Sequence, residues 1–141
     1  MQTSMKKGDI CLVTGVSGYL ASWLARDLLE KGYRVRGTVR NLGDGARNER
    51  LLAVLPGVEL AAADLREEAG WAPAMEGVDW VFHVASPQAV PSETDRTGGA
   101  LSGTQYVLAA AFASATVRKV VLTSSEAAIA YGYPRSRQRF T

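Results

Sequence analysis

The stretch TGVSGYLA, Thr14 to Ala21, follows the short apolar run ICLV and opens a segment of helical period. A strand that ends in glycines and passes straight into a helix is suited to hold a phosphate. Gly15 allows the tight turn, Gly18 lets backbone N–H groups approach a pyrophosphate, and the small Ala21 lets the helix lie against the strand. The first-turn N–H groups and the positive end of the helix dipole then face the anion. The spacing GxxGxxA is a relative of the GxGxxG dinucleotide fingerprint. Taken alone, it is also compatible with an ordinary strand, glycine turn and helix.

The rest of the chain narrows that choice. Its 141 residues suit one domain, 1–141, able to bury roughly two-thirds of its unfolded surface. With 47% apolar and 21% charged residues the composition is globular, and a net charge of +2 gives no reason to expect a nucleic-acid or membrane partner. Only about four apolar residues follow the N-terminal lysines, too few for a signal segment or a membrane span, so a cytoplasmic location is expected. The single Cys11 sits in the first apolar run and reads as buried and inert.

Apolar, β-branched runs recur at Ile10 to Val13, Tyr33 to Val39, Val58 to Ala62, Val78 to Val84 and Val117 to Thr123, mostly separated by helix-period segments. That alternation indicates βαβ units with a parallel sheet, and runs this apolar suggest burial on both faces. Leu20, Leu24, Leu28 and Leu29 mark one helical stripe, stopped by Gly32. A second stripe runs through Leu101, Thr104, Leu108, Ala111 and Ala115; further helices are expected over Glu67 to Met75 and Arg47 to Leu55. Trp23, Trp71 and Trp80 read as core or helix-packing residues.

In an open parallel sheet the ligand lies at the carboxyl ends of the strands, so the residues just after each run carry the information. After the second run stands Arg40, where an acidic residue would favour NAD by accepting from both ribose hydroxyls. An arginine instead offers a fork of donors to a 2′-phosphate, which points to NADP over NAD; the alternative is a surface arginine beside a loop containing Asp44. After the third run, Asp64 can accept from an adenine amino group while the Leu65 N–H donates to the ring, or it can cap the next helix. After the fourth, small Ala85 and Ser86 leave room for a dinucleotide close to the backbone. His83, the only histidine, lies inside an apolar run and reads as a hydrogen-bonded core residue. The fifth run ends in Thr123, Ser124 and Ser125, hydroxyls able to bond a substrate carbonyl, or simply a turn and cap.

Four motifs in order, VTGVSGYLASWLARDLLEKGYRVRGTVRN, the ADL turn, DWVFHVASP and VRKVVLTSS, resemble the N-terminal half of an extended short-chain dehydrogenase/reductase of the dihydroflavonol reductase-like group. That resemblance implies an α/β fold, a Rossmann-type doubly wound parallel sheet, here truncated after about five strands and without the substrate domain. It further implies cofactor contacts at Gly15, Gly18, Tyr19, Leu20, Arg40, Asp64, Leu65, Val84, Ala85 and Ser124, with Ser125 matching the family's catalytic serine. The implied activity is NAD(P)H-dependent reduction of a small-molecule aldehyde, ketone or dihydroflavonol-like carbonyl, with no metal site.

The family's proton donor is a Tyr followed four residues later by a Lys, and no tyrosine here meets that test: Tyr19, Tyr33, Tyr106, Tyr131 and Tyr133 precede Trp23, Gly37, Ala110, Arg135 and Arg137. Glu126 stands after the serine where the group commonly has a small or apolar residue, and the segment from Gln88 to Gly99 is shorter than usual. Arg135, Arg137 and Arg139 read as a solvated basic tail. A nucleotide-sugar epimerase or dehydratase relative, and a non-catalytic NAD(P)-binding module, are the competing readings. The missing strands of the implied fold would leave sheet faces uncovered, favouring aggregation or pairing, with oligomeric state left open.

Overall fold

The computed structural model describes residues 4–87 and 96–132. Five parallel strands, β1 (Ile10–Val13), β2 (Arg34–Val39), β3 (Glu59–Ala62), β4 (Trp80–His83) and β5 (Lys119–Leu122), form one sheet in the order β3-β2-β1-β4-β5. The helices are α1 (Tyr19–Glu30), α2 (Gly45–Val54), α3 (Trp71–Ala74), α4 (Arg96–Ala113) and α5 (Glu126–Ala130). The chain first winds outward from β1 through β2 to β3 and then returns to place β4 on β1's other side. That reversal opens a crevice between β1 and β4, the position where doubly wound sheets bind ligands.

The alternation of side chains along β1 builds a core on each face of the sheet. Cys11 and Val13 pack with Ala21, Ala25 and Leu28 of α1 and with Leu51 of α2, whereas Leu12 joins Trp71, Met75, Val81 and Val107 on the other side. Each such large apolar side chain contributes about 1.5–3 kcal/mol when fully buried. Burial pushes the Cys11 thiol up to about 12, helped by the nearby Asp9 and Asp79 carboxylates, so this cysteine is an inert core residue as expected. At the amino ends of the strands Arg118 bridges Asp9 and Asp79, each at 2.8 Å, and lies over the Trp80 ring.

Several expectations change. On α1, Ala21, Ala25 and Leu28 are buried and Leu24 and Leu29 pack against the same core, as the stripe predicts, whereas Leu20 is 56% exposed. Trp23 is 54% exposed and pairs with Arg26 at 5.4 Å, so only Trp71 and Trp80 belong to the core. The helix expected over Glu67 to Met75 shortens to Trp71–Ala74, since Gly70 takes a positive φ of 92° and breaks it. In α4 the buried line is Gly103, Val107 and Ala111, with Leu101 and Leu108 exposed and Ala115 beyond the helix. Gly103 sets that face: a Cβ there would meet the Leu65 Cβ at 2.7 Å, so the helix is drawn in on its smallest residue. The basic tail and most of the segment from Gln88 to Gly99 lie outside the described residues.

Candidate functional site

A groove of about 1120 Å³ runs along the carboxyl ends of β1 to β4. Its middle is the glycine turn. Gly15 has φ +65°, and a Cβ on it would lie 2.9 Å from the Ala85 Cβ, so both the turn and the neighbouring strand end require glycine there. The Gly18 N–H donates to the Gly15 carbonyl at 2.8 Å, closing the turn. Helix α1 then begins at Gly18 without a side-chain cap and without an acidic residue in its first turn. The amides that an α-helix leaves without intrahelical partners therefore stand at the part of the groove lined by Gly18, Tyr19 and Leu20, where they favour an anion.

The turn is tied to the strands on both sides. Toward β2, the Gly15 N–H donates to the Thr38 hydroxyl at 2.9 Å and the Val16 N–H to the Thr38 carbonyl at 3.0 Å. Toward β4, the buried Thr14 hydroxyl accepts from the Val84 N–H at 3.0 Å and the Ala85 N–H at 2.9 Å. Two accepted bonds leave Thr14 its own proton to donate, and it meets His83 Nδ1 at 2.9 Å. The ring is thereby fixed as the neutral form carrying its proton on Nε2, which faces the Thr104 hydroxyl at 3.4 Å. Burial holds His83 below the ordinary histidine value. His83 is thus the hydrogen-bonded core residue expected from the sequence, bonded to the same Thr14 hydroxyl that holds Val84 and Ala85 at the groove wall.

The adenosine side of the groove would lie beyond β2. Arg40 lines it as expected, together with residues that motif reading missed: Asn41, Arg47 and Asn48. Asn48 is buried, and its Nδ2 donates to the carbonyls of Asn41 and Leu42 at 3.0 and 3.1 Å, fastening the loop after β2 to α2. Its only sequence signal is a polar residue on the inner face of α2. Asp64 and Leu65 also line the groove. Asp64 does not cap a helix, since α3 starts after Gly70; its carboxylate holds the Arg66 guanidinium at 2.7 and 3.1 Å and accepts the Arg66 N–H at 3.0 Å. The bonds from Arg66 keep the Asp64 carboxyl below the usual carboxylate range.

Nine expected contact positions, Gly15, Gly18, Tyr19, Leu20, Arg40, Asp64, Leu65, Val84 and Ala85, therefore meet in one groove. Ser124 and Ser125 do not line it. The Thr123 N–H bonds the His83 carbonyl at 3.0 Å, which sets the serines beside the end of β4, and the Ser125 hydroxyl accepts from the Ala127 N–H at 3.2 Å as the cap of α5. Among the described residues no cluster of three metal-ligating side chains occurs, and no helix is long and apolar enough to cross a membrane.

Comparison with known proteins agrees with this geometry. A family model described as the NAD dependent epimerase/dehydratase family matches residues 11–140. Cinnamoyl-CoA reductase CAD2 of Medicago truncatula is 40% identical over 142 residues, which cover 95% of this chain and 43% of the relative. Among solved structures, vestitone reductase from alfalfa (Medicago sativa) is 36% identical with a TM-score of 0.66, over 87% of this chain and 38% of its own. Gre2 from Candida albicans in complex with NADPH is 28% identical with a TM-score of 0.73, over 86% of this chain and 38% of its own. The chain thus spans less than half the length of the relatives it matches.

Proposed function

The chain belongs to the NAD dependent epimerase/dehydratase family, and from that premise we propose that residues 1–141 are the cofactor-binding domain of a cytoplasmic NADPH-dependent reductase acting on a small aldehyde, ketone or dihydroflavonol-like carbonyl. The observation that carries the reading is the groove itself. It joins an uncapped helix start behind Gly15 and Gly18 to an arginine-bearing end at Arg40 and Arg47, at separations set by a single sheet. The relatives' own names support reduction, and the NADPH complex of Gre2 supports the cofactor.

In this reading the α1 amides at Tyr19 and Leu20 receive the pyrophosphate and Arg40 takes the 2′-phosphate. Asp64 and Leu65 border the adenine, and Asp64 accepts from its amino group only by sharing a carboxylate already engaged by Arg66. Val84 and Ala85, held by Thr14, form the wall along which the cofactor passes. NADPH, when bound, supplies hydride to the carbonyl carbon. Ser124 and Ser125 follow β5, and Ser125, whose Oγ accepts the Ala127 N–H, keeps its own hydroxyl proton to donate to the carbonyl oxygen. No Tyr with a Lys four residues later occurs in the sequence, so the proton donor is assigned to no residue of this chain.

Titration of the chain with NADPH and NADH tests the assignment. Arg40→Ala is expected to weaken NADPH by about tenfold or more, the size of a charge-assisted pair, while leaving NADH nearly unchanged. Equal losses for both cofactors would remove the 2′-phosphate from Arg40.

A further inference from the structure

We propose that Gly37 is a positioning residue for the glycine turn, a vacant seat in the middle of β2 that Val16 fills. Gly37 is buried and pairs in register with Val13 on one side and Leu60 on the other. Its φ is not positive, so no unusual backbone conformation calls for glycine at this position. Glycine inside a strand weakens it and commonly marks a close approach by something else. Here the approaching group is the Val16 side chain, which is fully buried: a Cβ on Gly37 would lie 2.6 Å from the Val16 Cβ and 2.8 Å from its Cγ2. Any side chain at position 37 must push Val16 away from the sheet.

Val16 cannot move alone. Its N–H and that of Gly15 are both bonded to Thr38, the residue after Gly37, so the peg, the seat and the two hydrogen bonds fix one short length of chain against β2. The Gly18 N–H bonds back to the Gly15 carbonyl, and Gly18 is where α1 begins. The depth to which Val16 sinks over Gly37 therefore sets the height of the Gly15–Gly18 turn above the sheet, and with it the position of the first amides of α1. The consequence for cofactor rests on the dinucleotide reading above; the consequence for the turn does not.

The test combines amide spectroscopy of the ligand-free chain with NADPH titration. Gly37→Ala is expected to move the 1H–15N resonances of Gly15, Val16 and Gly18 and to weaken NADPH by about tenfold, the scale of one overpacked methyl group. The double variant Val16→Gly/Gly37→Ala, which removes the Val16 Cβ as well as its methyl groups and so frees the volume the new Cβ needs, is expected to return both readouts toward the parent. Unmoved turn resonances in Gly37→Ala, or a double variant no closer to the parent than the single one, would overturn the proposal. Should Gly37→Ala fail to fold, Val16→Ala leaves the seat empty and is expected to speed hydrogen exchange at the Gly15 and Val16 amides; unchanged exchange would overturn it equally. A parent chain without affinity for NADPH would sink the dinucleotide reading and leave these amide responses to decide the seat.

Discussion

The β1–β2 side of the sheet and its β5 edge are packed to different degrees. On the β1 and β2 side, three of the four residues of β1 are buried, and the turn above them is held by Thr14, Thr38 and the Val16 side chain. On the β5 side none of the four strand residues is fully buried, Leu122 is 51% exposed, and nearby α4 presents Phe112 at 95% exposure. In this sheet β1 has a strand neighbour on each side, whereas β5 is an edge strand with β4 as its one neighbour.

Substitutions on the two flanks should separate accordingly. The largest effect is expected from Thr14→Val, which leaves the Val84 and Ala85 amides and His83 Nδ1 without their shared partner; roughly 3 kcal/mol of stability should be lost, since each buried unpaired group costs about 1–3 kcal/mol. Chemical denaturation measures this directly. A smaller effect concerns acid. His83 is held below 6.5 by burial, so the unfolded chain takes up the proton first. Its contribution to stability is complete above that value and is lost as pH falls through the depressed folded value. Melting temperatures recorded from about pH 7.5 down to about pH 5 should fall for the parent and stay flatter for His83→Gln. Smallest of all, Ser125→Ala removes only the cap of the short exposed α5 and should cost about 1 kcal/mol or less. If Ser125→Ala matched Thr14→Val, the contrast between the flanks would be wrong.

How legible this was in the sequence depends on what each residue answers to. The strands could be read because β-branched runs buried on both faces look the same in any context. The glycine turn, Arg40, Asp64 and the Ala85 strand end could be expected to line one groove because each stands immediately after such a run. What escaped was set by closeness between elements. The stripe holds for Leu24, Leu28 and Leu29, which pack on the core, but it did not show that Ala21 and Ala25 lie on the buried face as well, or that Leu20 borders the groove instead. The same misjudgement recurs in α4, where Gly103 and not Leu101 sets the inner face. Large apolar residues advertise themselves, while the small ones that decide approach distance do not. The partner of Asp64 was invisible for a different reason: a guanidinium two residues on could reach a ligand, solvent or its own neighbour, and only coordinates distinguish them.

The bond between Thr14 and His83 also has a kinetic side. It joins residues 69 positions apart, across the reversal of the sheet, so forming it closes a loop that contains β2 and β3. Contacts of such long sequence separation carry a large loop-closure cost and form slowly. The wall at Val84 and Ala85 is therefore complete only when β4 is paired with β1, and any local opening of that strand pair loosens the groove as well.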